Sequence, residues 1–254
     1  MRRRDALGAL SALALAPAAT RAQARVARIA YLSSTTAESS AGYVAAFRKG
    51  LEEHGVIEGR DVAIEFRYAG FRFDDLPRLA REIAASRPDV IVTQVTEASR
   101  AVRAATTTIP QVFVAVGDPV AAGLVANLSR PGGNVTGTAA MTTDVAGKTV
   151  ALLEEAVPTL KRAAVLWNPA NATYQRLVLG EVQKAATSLG LETRTYPMTD
   201  AAAIERSFEA MRKDGVGGLV VLSDVVILTA GARIATLARD ARLPSVCGLA
   251  VYAD

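Results

Sequence analysis

Histidine and cysteine are almost missing from this chain: 254 residues hold one of each, His54 and Cys247. So few leave little material for a His-based triad or a His/Cys zinc site. A lone cysteine makes no intrachain disulfide, so the fold has to rest on its apolar core, for which a 50% hydrophobic composition is ample. Glycine-rich phosphate loops are missing too. Gly147-Lys148-Thr149 looks like the tail of one, but the earlier glycine it needs is replaced by Thr142, and no G-x-G-x-x-G follows a strand. Glu52-Glu53 and Glu154-Glu155 read as solvated helix faces rather than acid/base pairs. His54, closing a charged helix, reads as a surface residue. No cofactor, no metal and no enzymatic activity are expected.

Long apolar runs are scarce as well. The longest, Ala6–Ala16, is interrupted only by Gly8 and Ser11 and ends at Pro17. A bilayer span needs about 20 apolar residues, so this run is too short. It follows Arg2-Arg3-Arg4 and precedes Ala22-Gln23-Ala24, the small-residue pattern that signal peptidase cuts. Residues 1–24 therefore read as an export signal cleaved near Ala24, by a Sec or a Tat route, which predicts a periplasmic protein. No cysteine lies beside that site to carry a lipid anchor. Of 29 basic and 25 acidic side chains the segment holds four and one, leaving 25 and 24. The excess positive charge belongs mostly to the signal, so the remaining chain lacks the electrostatic footprint of a nucleic-acid binder.

What the chain does have is alternation. Strand-like β-branched runs fall at Arg28–Ser33, Val62–Tyr68, Val90–Thr93, Gln111–Val116 and Asn134–Gly137, then at Ala163–Trp167, Leu191–Tyr196, Gly218–Leu222 and Ser245–Gly248. Between them, helical spacing predicts Ala41–His54, Leu76–Ser86, Ala98–Thr106, Ala146–Ala156, Tyr174–Leu189, Ala203–Lys213 and Thr229–Ala241. Tyr43, Phe47 and Leu51 recur at i, i+4, i+8 as one helical face. Regular alternation implies α/β structure with parallel sheets covered on both faces. The turn-rich Ser129–Asn134 divides two such arrays, which suggests two lobes about a cleft; one larger Rossmann-like sheet has the same periodicity. The lobes are placed at residues 25–137 and 138–254.

Ligands of open parallel sheets sit beyond the carboxyl ends of the strands. The loops there are consistently polar: Ser33-Ser34, Thr96, Asp118, Asn168 with Asn171, and Asp224. Hydroxyls at helix N-termini can seat a ligand carboxylate. Asp118 and Asp224, facing them, can hold an ammonium group or hydroxyls, so the set suits an amino acid. Each of these residues also has an ordinary use as a helix cap.

Ala115-Val116-Gly117-Asp118-Pro119-Val120, Ser129-Arg130-Pro131-Gly132-Gly133-Asn134-Val135-Thr136-Gly137 and Leu166-Trp167-Asn168-Pro169-Ala170-Asn171 closely resemble the substrate-binding proteins of ABC transporters, of the tryptophan-binding-like kind. The resemblance implies a type 1 periplasmic-binding-protein architecture of two Rossmann-like (flavodoxin-like) lobes. It further implies a monomeric receptor that takes a small-molecule solute in the inter-lobe cleft and presents it to the membrane permease of an importer. It places Ser33, Thr96, Asp118, Asn168, Asn171 and Asp224 along the cleft. Relatives often carry Gly-Thr-Pro where this chain has Val95-Thr96-Glu97, which sets an extra carboxylate beside the proposed anion seat. They also continue for several dozen residues past the position of Asp254, so the C-terminal lobe is expected to be incomplete. A sensor module of the same fold, or an α/β enzyme, are the other classes this pattern can serve; the first lacks an N-terminal DNA-binding helix pair and the second lacks an acid/base constellation.

Overall fold

The computed structural model describes residues 25–199 and 201–248. The export signal read in residues 1–24 lies outside them, as do residues 249–254. The first lobe runs β1 (Ala27–Ser33), α1 (Ala37–Glu53), β2 (Val62–Tyr68), α2 (Leu76–Ser86), β3 (Val90–Gln94), α3 (Thr96–Ala105), β4 (Gln111–Val116) and β5 (Val135–Ala139). The second runs α4 (Thr142–Ala156), β6 (Arg162–Trp167), α5 (Ala172–Ser188), β7 (Glu192–Pro197), α6 (Ala201–Asp214), β8 (Gly218–Val221), α7 (Val225–Thr229), α8 (Gly231–Asp240) and β9 (Ser245–Cys247).

All pairings between these strands are parallel, and they form two sheets ordered β2-β1-β3-β4-β5 and β7-β6-β8-β9. In each sheet the order doubles back on its first strand, as doubly wound sheets do, which opens a crevice at their carboxyl ends. Among the described residues the chain passes from one sheet to the other once, at Ala140-Met141.

Both faces of each sheet are covered. In the first lobe Leu76, Leu79, Ala80 and Ile83 of α2 pack with Ala98 and Val102 of α3 against Ala30, Leu32 and Ile91. On the opposite face Val44, Phe47 and Leu51 of α1 meet Ile29, Tyr31 and Val92. In the second lobe α4 and α5 cover one face through Val150, Leu153, Val178 and Val182. Helices α6 and α8 cover the other through Ile204, Phe208, Met211 and Ile234. Each such aliphatic side chain contributes about 1.5–3 kcal/mol by leaving water, so each lobe carries its own core. Gly137 is required where it stands: a Cβ there would lie 2.1 Å from the Phe113 carbonyl oxygen.

Several sequence expectations are corrected. Helix α1 starts at Ala37 rather than Ala41, because Thr36 accepts the Ser39 N–H at 3.1 Å and opens the helix before its apolar stripe begins. Tyr43 does not share the buried face with Phe47 and Leu51: Ser40 and Val44 are the buried residues of α1, and Tyr43 is 48% exposed. The helix expected over Thr229–Ala241 is α8, starting two residues later at Gly231, and a short helix that was not expected, α7, precedes it across Ala230. Asp224 starts α7, accepting the N–H groups of Val226 and Ile227. His54 lies exposed at the end of α1, its Nδ1 2.8 Å from the Gly50 carbonyl oxygen.

Candidate ligand-binding cleft

The carboxyl ends of both sheets face a common cleft that is open to solvent. Tyr43, Val95, Thr96, Ala115 and Gly117 form the first lobe's wall, and Ala140 lies on the crossover. Asn171, Tyr174, Ser223, Asp224 and Leu228 form the second. The lining is mostly apolar, with its polar groups gathered at the two strand ends.

On the second lobe those groups make a closed network. Asp224, at the end of β8, accepts Asn168 Nδ2 at 2.9 Å on one oxygen and Asn171 Nδ2 at 2.8 Å on the other. Its Oδ1 also caps α7 through Val226 N–H at 2.8 Å. Asn168 Oδ1 accepts the Ala170 N–H, and Gln175 reaches from α5 to the Asn168 N–H and the Ser223 carbonyl oxygen. All three site residues here are buried. With its amide nitrogen committed to Asp224, Asn171 turns an oxygen that is buried and has no hydrogen-bond partner among the described residues. A buried acceptor left unmade costs about 1–3 kcal/mol, so a donor arriving in the cleft has a place to bind.

On the first lobe the polar groups are mostly turned inward. Ser33 Oγ is engaged with Thr35 Oγ1 at 3.0 Å and Ser40 Oγ at 3.1 Å, and Thr35 Oγ1 with Ser40 Oγ at 2.6 Å. Ser33 and Ser34 are fully buried and neither lines the cleft; the Ser34 hydroxyl has no partner among the described residues. Thr96 does line it, at the first turn of α3, where its Oγ1 accepts the Gly117 N–H at 3.3 Å. The backbone around Thr96 is unusual. Val95 adopts φ 63°, ψ 171°, and Ala115 φ 56° at the irregular register of β4 with β5. Non-glycine residues in such conformations store about 1–3 kcal/mol each and gather at ligand sites.

Asp118 is displaced from the cleft. It caps the following turn, accepting the Val120 and Ala121 N–H groups at 3.0 and 2.9 Å, and faces Thr143 Oγ1 of α4 at 3.4 Å. It borders a separate hollow with Glu181. Of the seven residues picked from the strand-end loops, the structure brings Thr96, Asn171 and Asp224 onto the cleft wall, places Asn168 directly behind them, and sets Ser33, Ser34 and Asp118 elsewhere. Tyr43, Tyr174 and Leu228 were missed. The apolar stripe of α1 signalled Tyr43 as core, and only its neighbours' burial shows that it stands off that face. Glu97, the extra carboxylate, does not enter the cleft: its Oε1 accepts the Thr173 N–H of α5 at 3.2 Å. Among the described residues no group of acidic, His and Cys side chains could hold a metal ion, and no helix is long and apolar enough to cross a membrane.

A sequence profile for the family described as ABC transporter substrate binding protein matches residues 28–253. A "Tyrosine-binding protein" of Clostridioides difficile (strain R20291) is 26% identical over 203 residues, which are 79% of this chain and 57% of that protein. The chain thus spans little more than half the length of that curated relative. Among solved structures, a conserved domain protein of Vibrio cholerae O1 biovar eltor superposes with a TM-score of 0.78 at 26% identity, over 90% of this chain and 76% of that one. A domain from Streptococcus pneumonia in complex with L-Trp superposes at 0.75, with 22% identity over 89% and 75% of the two chains, a likeness of fold.

Proposed function

The chain belongs to the ABC transporter substrate binding protein family, and on that footing we propose that it binds an amino acid with an apolar or aromatic side chain between its lobes. The carrying observation is the buried, unpartnered Oδ1 of Asn171 beside the Asp224 carboxylate on the cleft wall. An acceptor next to a negative charge recognises an ammonium group. Opposite it, Thr96 and the opening turn of α3 offer a hydroxyl and the positive end of a helix for the ligand carboxylate. Tyr43, Tyr174 and Leu228 offer an apolar surface for the side chain. The protein named as tyrosine-binding and the domain that holds L-Trp support this class of ligand.

The mechanism is binding and closure without chemistry: the ligand satisfies groups on both walls, so it favours the state in which the walls are close. The closed form is then presented to the permease of an importer, in the periplasm, after removal of residues 1–24. Calorimetric titration tests the reading. L-tyrosine or L-tryptophan is expected to bind saturably. Tyramine, lacking the carboxylate, and 3-(4-hydroxyphenyl)propionate, lacking the ammonium group, are expected to bind at least tenfold more weakly. Absence of binding across the twenty amino acids overturns the proposal.

A further inference from the structure

The N-terminus of α5 has no side-chain cap of its own. Asn171 occupies the cap position, but its side chain gives no hydrogen bond to the helix, its amide nitrogen being held by Asp224. The free N–H of Thr173 is instead taken by Glu97, a residue of the other lobe, at 3.2 Å. Arg100, one turn further along α3, donates to the Thr173 hydroxyl at 2.6 Å and pairs with Glu97 Oε2 at 3.5 Å. Glu97 is well covered, its side chain 15% exposed, whereas Arg100 remains 44% exposed. A carboxylate at a helix N-terminus both accepts an orphan N–H and meets the positive end of the helix dipole.

We infer that Glu97 and Arg100 are positioning residues for ligand binding: together they cap α5 across the cleft and hold the lobes together before any ligand arrives. When the lobes part, α5 loses its cap and Glu97 its buried partner, so closure completes a helix that is unfinished in the open form. Neither Glu97 nor Arg100 lines the cleft, so the pair sets how readily the cleft closes rather than what it selects. The inference depends on two-lobe closure and not on the ligand being an amino acid.

The test uses ligand-free protein. Spin labels at Arg81→Cys on α2 and Gln183→Cys on α5, on a Cys247→Ser background, report the lobe-to-lobe distance by double electron–electron resonance. Glu97→Ala and Arg100→Ala are each expected to lengthen and broaden the distance distribution, with the closed fraction falling roughly three- to tenfold, the range set by the net contribution of one ordinary, partly solvated hydrogen bond. Thr173→Val, which keeps the N–H and removes only the hydroxyl that Arg100 uses, is expected to give a smaller shift. Glu82→Ala, which breaks an exposed pair with Arg78 within α2, is expected to give none. If Glu97→Ala does not fold, Arg100→Ala and Thr173→Val at exposed or half-buried positions decide the matter. Unshifted distributions in cooperatively melting variants overturn the inference.

Discussion

The two lobes are built alike and meet the cleft differently. Each is a parallel sheet doubling back on its first strand, covered by helices on both faces. At the strand ends of the second lobe, side chains from β6, β8 and the start of α5 converge on one carboxylate, Asp224, and the network ends at the cleft surface. At the strand ends of the first, Ser33, Thr35 and Ser40 close on one another beneath the surface, and the wall is left to the turn of α3, to backbone and to Tyr43. Like topology therefore places loops but does not decide which loops serve a ligand. That is decided by whether a polar group's partners lie inside the lobe or have yet to arrive.

The comparison breaks most easily at Asp224. Asp224→Ala removes the acceptor for two buried amide nitrogens and for the N–H groups opening α7. Each buried donor left unpaired costs about 1–3 kcal/mol, so a loss of at least about 3 kcal/mol is expected in urea unfolding, together with loss of amino-acid binding. A variant that binds normally would show that the second lobe's network is structural only. Ser40→Ala sharpens the contrast with a smaller effect. Ser33 and Thr35 lose a shared partner, and roughly 1–2 kcal/mol of stability should go, while affinity in the same titration stays within about twofold. A large loss of affinity would mean that the first lobe's hydroxyls serve the ligand after all.

How much of this was readable beforehand follows the range of the interactions. Val62–Tyr68, Gln111–Val116 and Leu76–Ser86 take the bounds that β-branched runs and helical spacing assign, because those patterns are local. The starts of α1, α3, α4 and α5 lie two to four residues earlier than the apolar periodicity suggests. Thr36 caps α1, whereas α3, α4 and α5 open on Val95, Met141 and Asn171 with no side-chain bond to the helix, so the apolar stripe marks where a helix is buried and not where it begins. Of the residues that the strand-end rule picked, Thr96, Asn171 and Asp224 stand on the cleft wall. The rule could not separate them from Ser33 or Asp118, since hydroxyls and carboxylates cap and bind with the same atoms. The Asn171–Asp224 bond spans 53 residues and Thr173–Glu97 spans 76, and no window along the chain contains either pair.

The smallest expected effect concerns the first lobe's own wall. Val95 has φ 63° and ψ 171° while its side chain lines the cleft, and a β-branched residue pays most for that conformation. It is held there from both sides, its N–H donating to the Val114 carbonyl oxygen at 2.9 Å and its own carbonyl oxygen accepting Ser99 N–H at 3.3 Å and Ser99 Oγ at 2.8 Å. Val95→Gly relieves strain of about 1–3 kcal/mol. It also frees the unfolded chain, which opposes the gain by roughly 0.5–1 kcal/mol. The variant is therefore expected to be more stable by about 1 kcal/mol and, with the branched side chain gone, to accept a bulkier ligand in competition binding. No counterpart exists on the cleft wall of the second lobe, where none of Asn171, Tyr174, Ser223, Asp224 and Leu228 has positive φ. If Val95→Gly is instead destabilised, the valine side chain packs well enough to outweigh its backbone, and the first lobe's wall is held by that packing, with no more strain to release than the second.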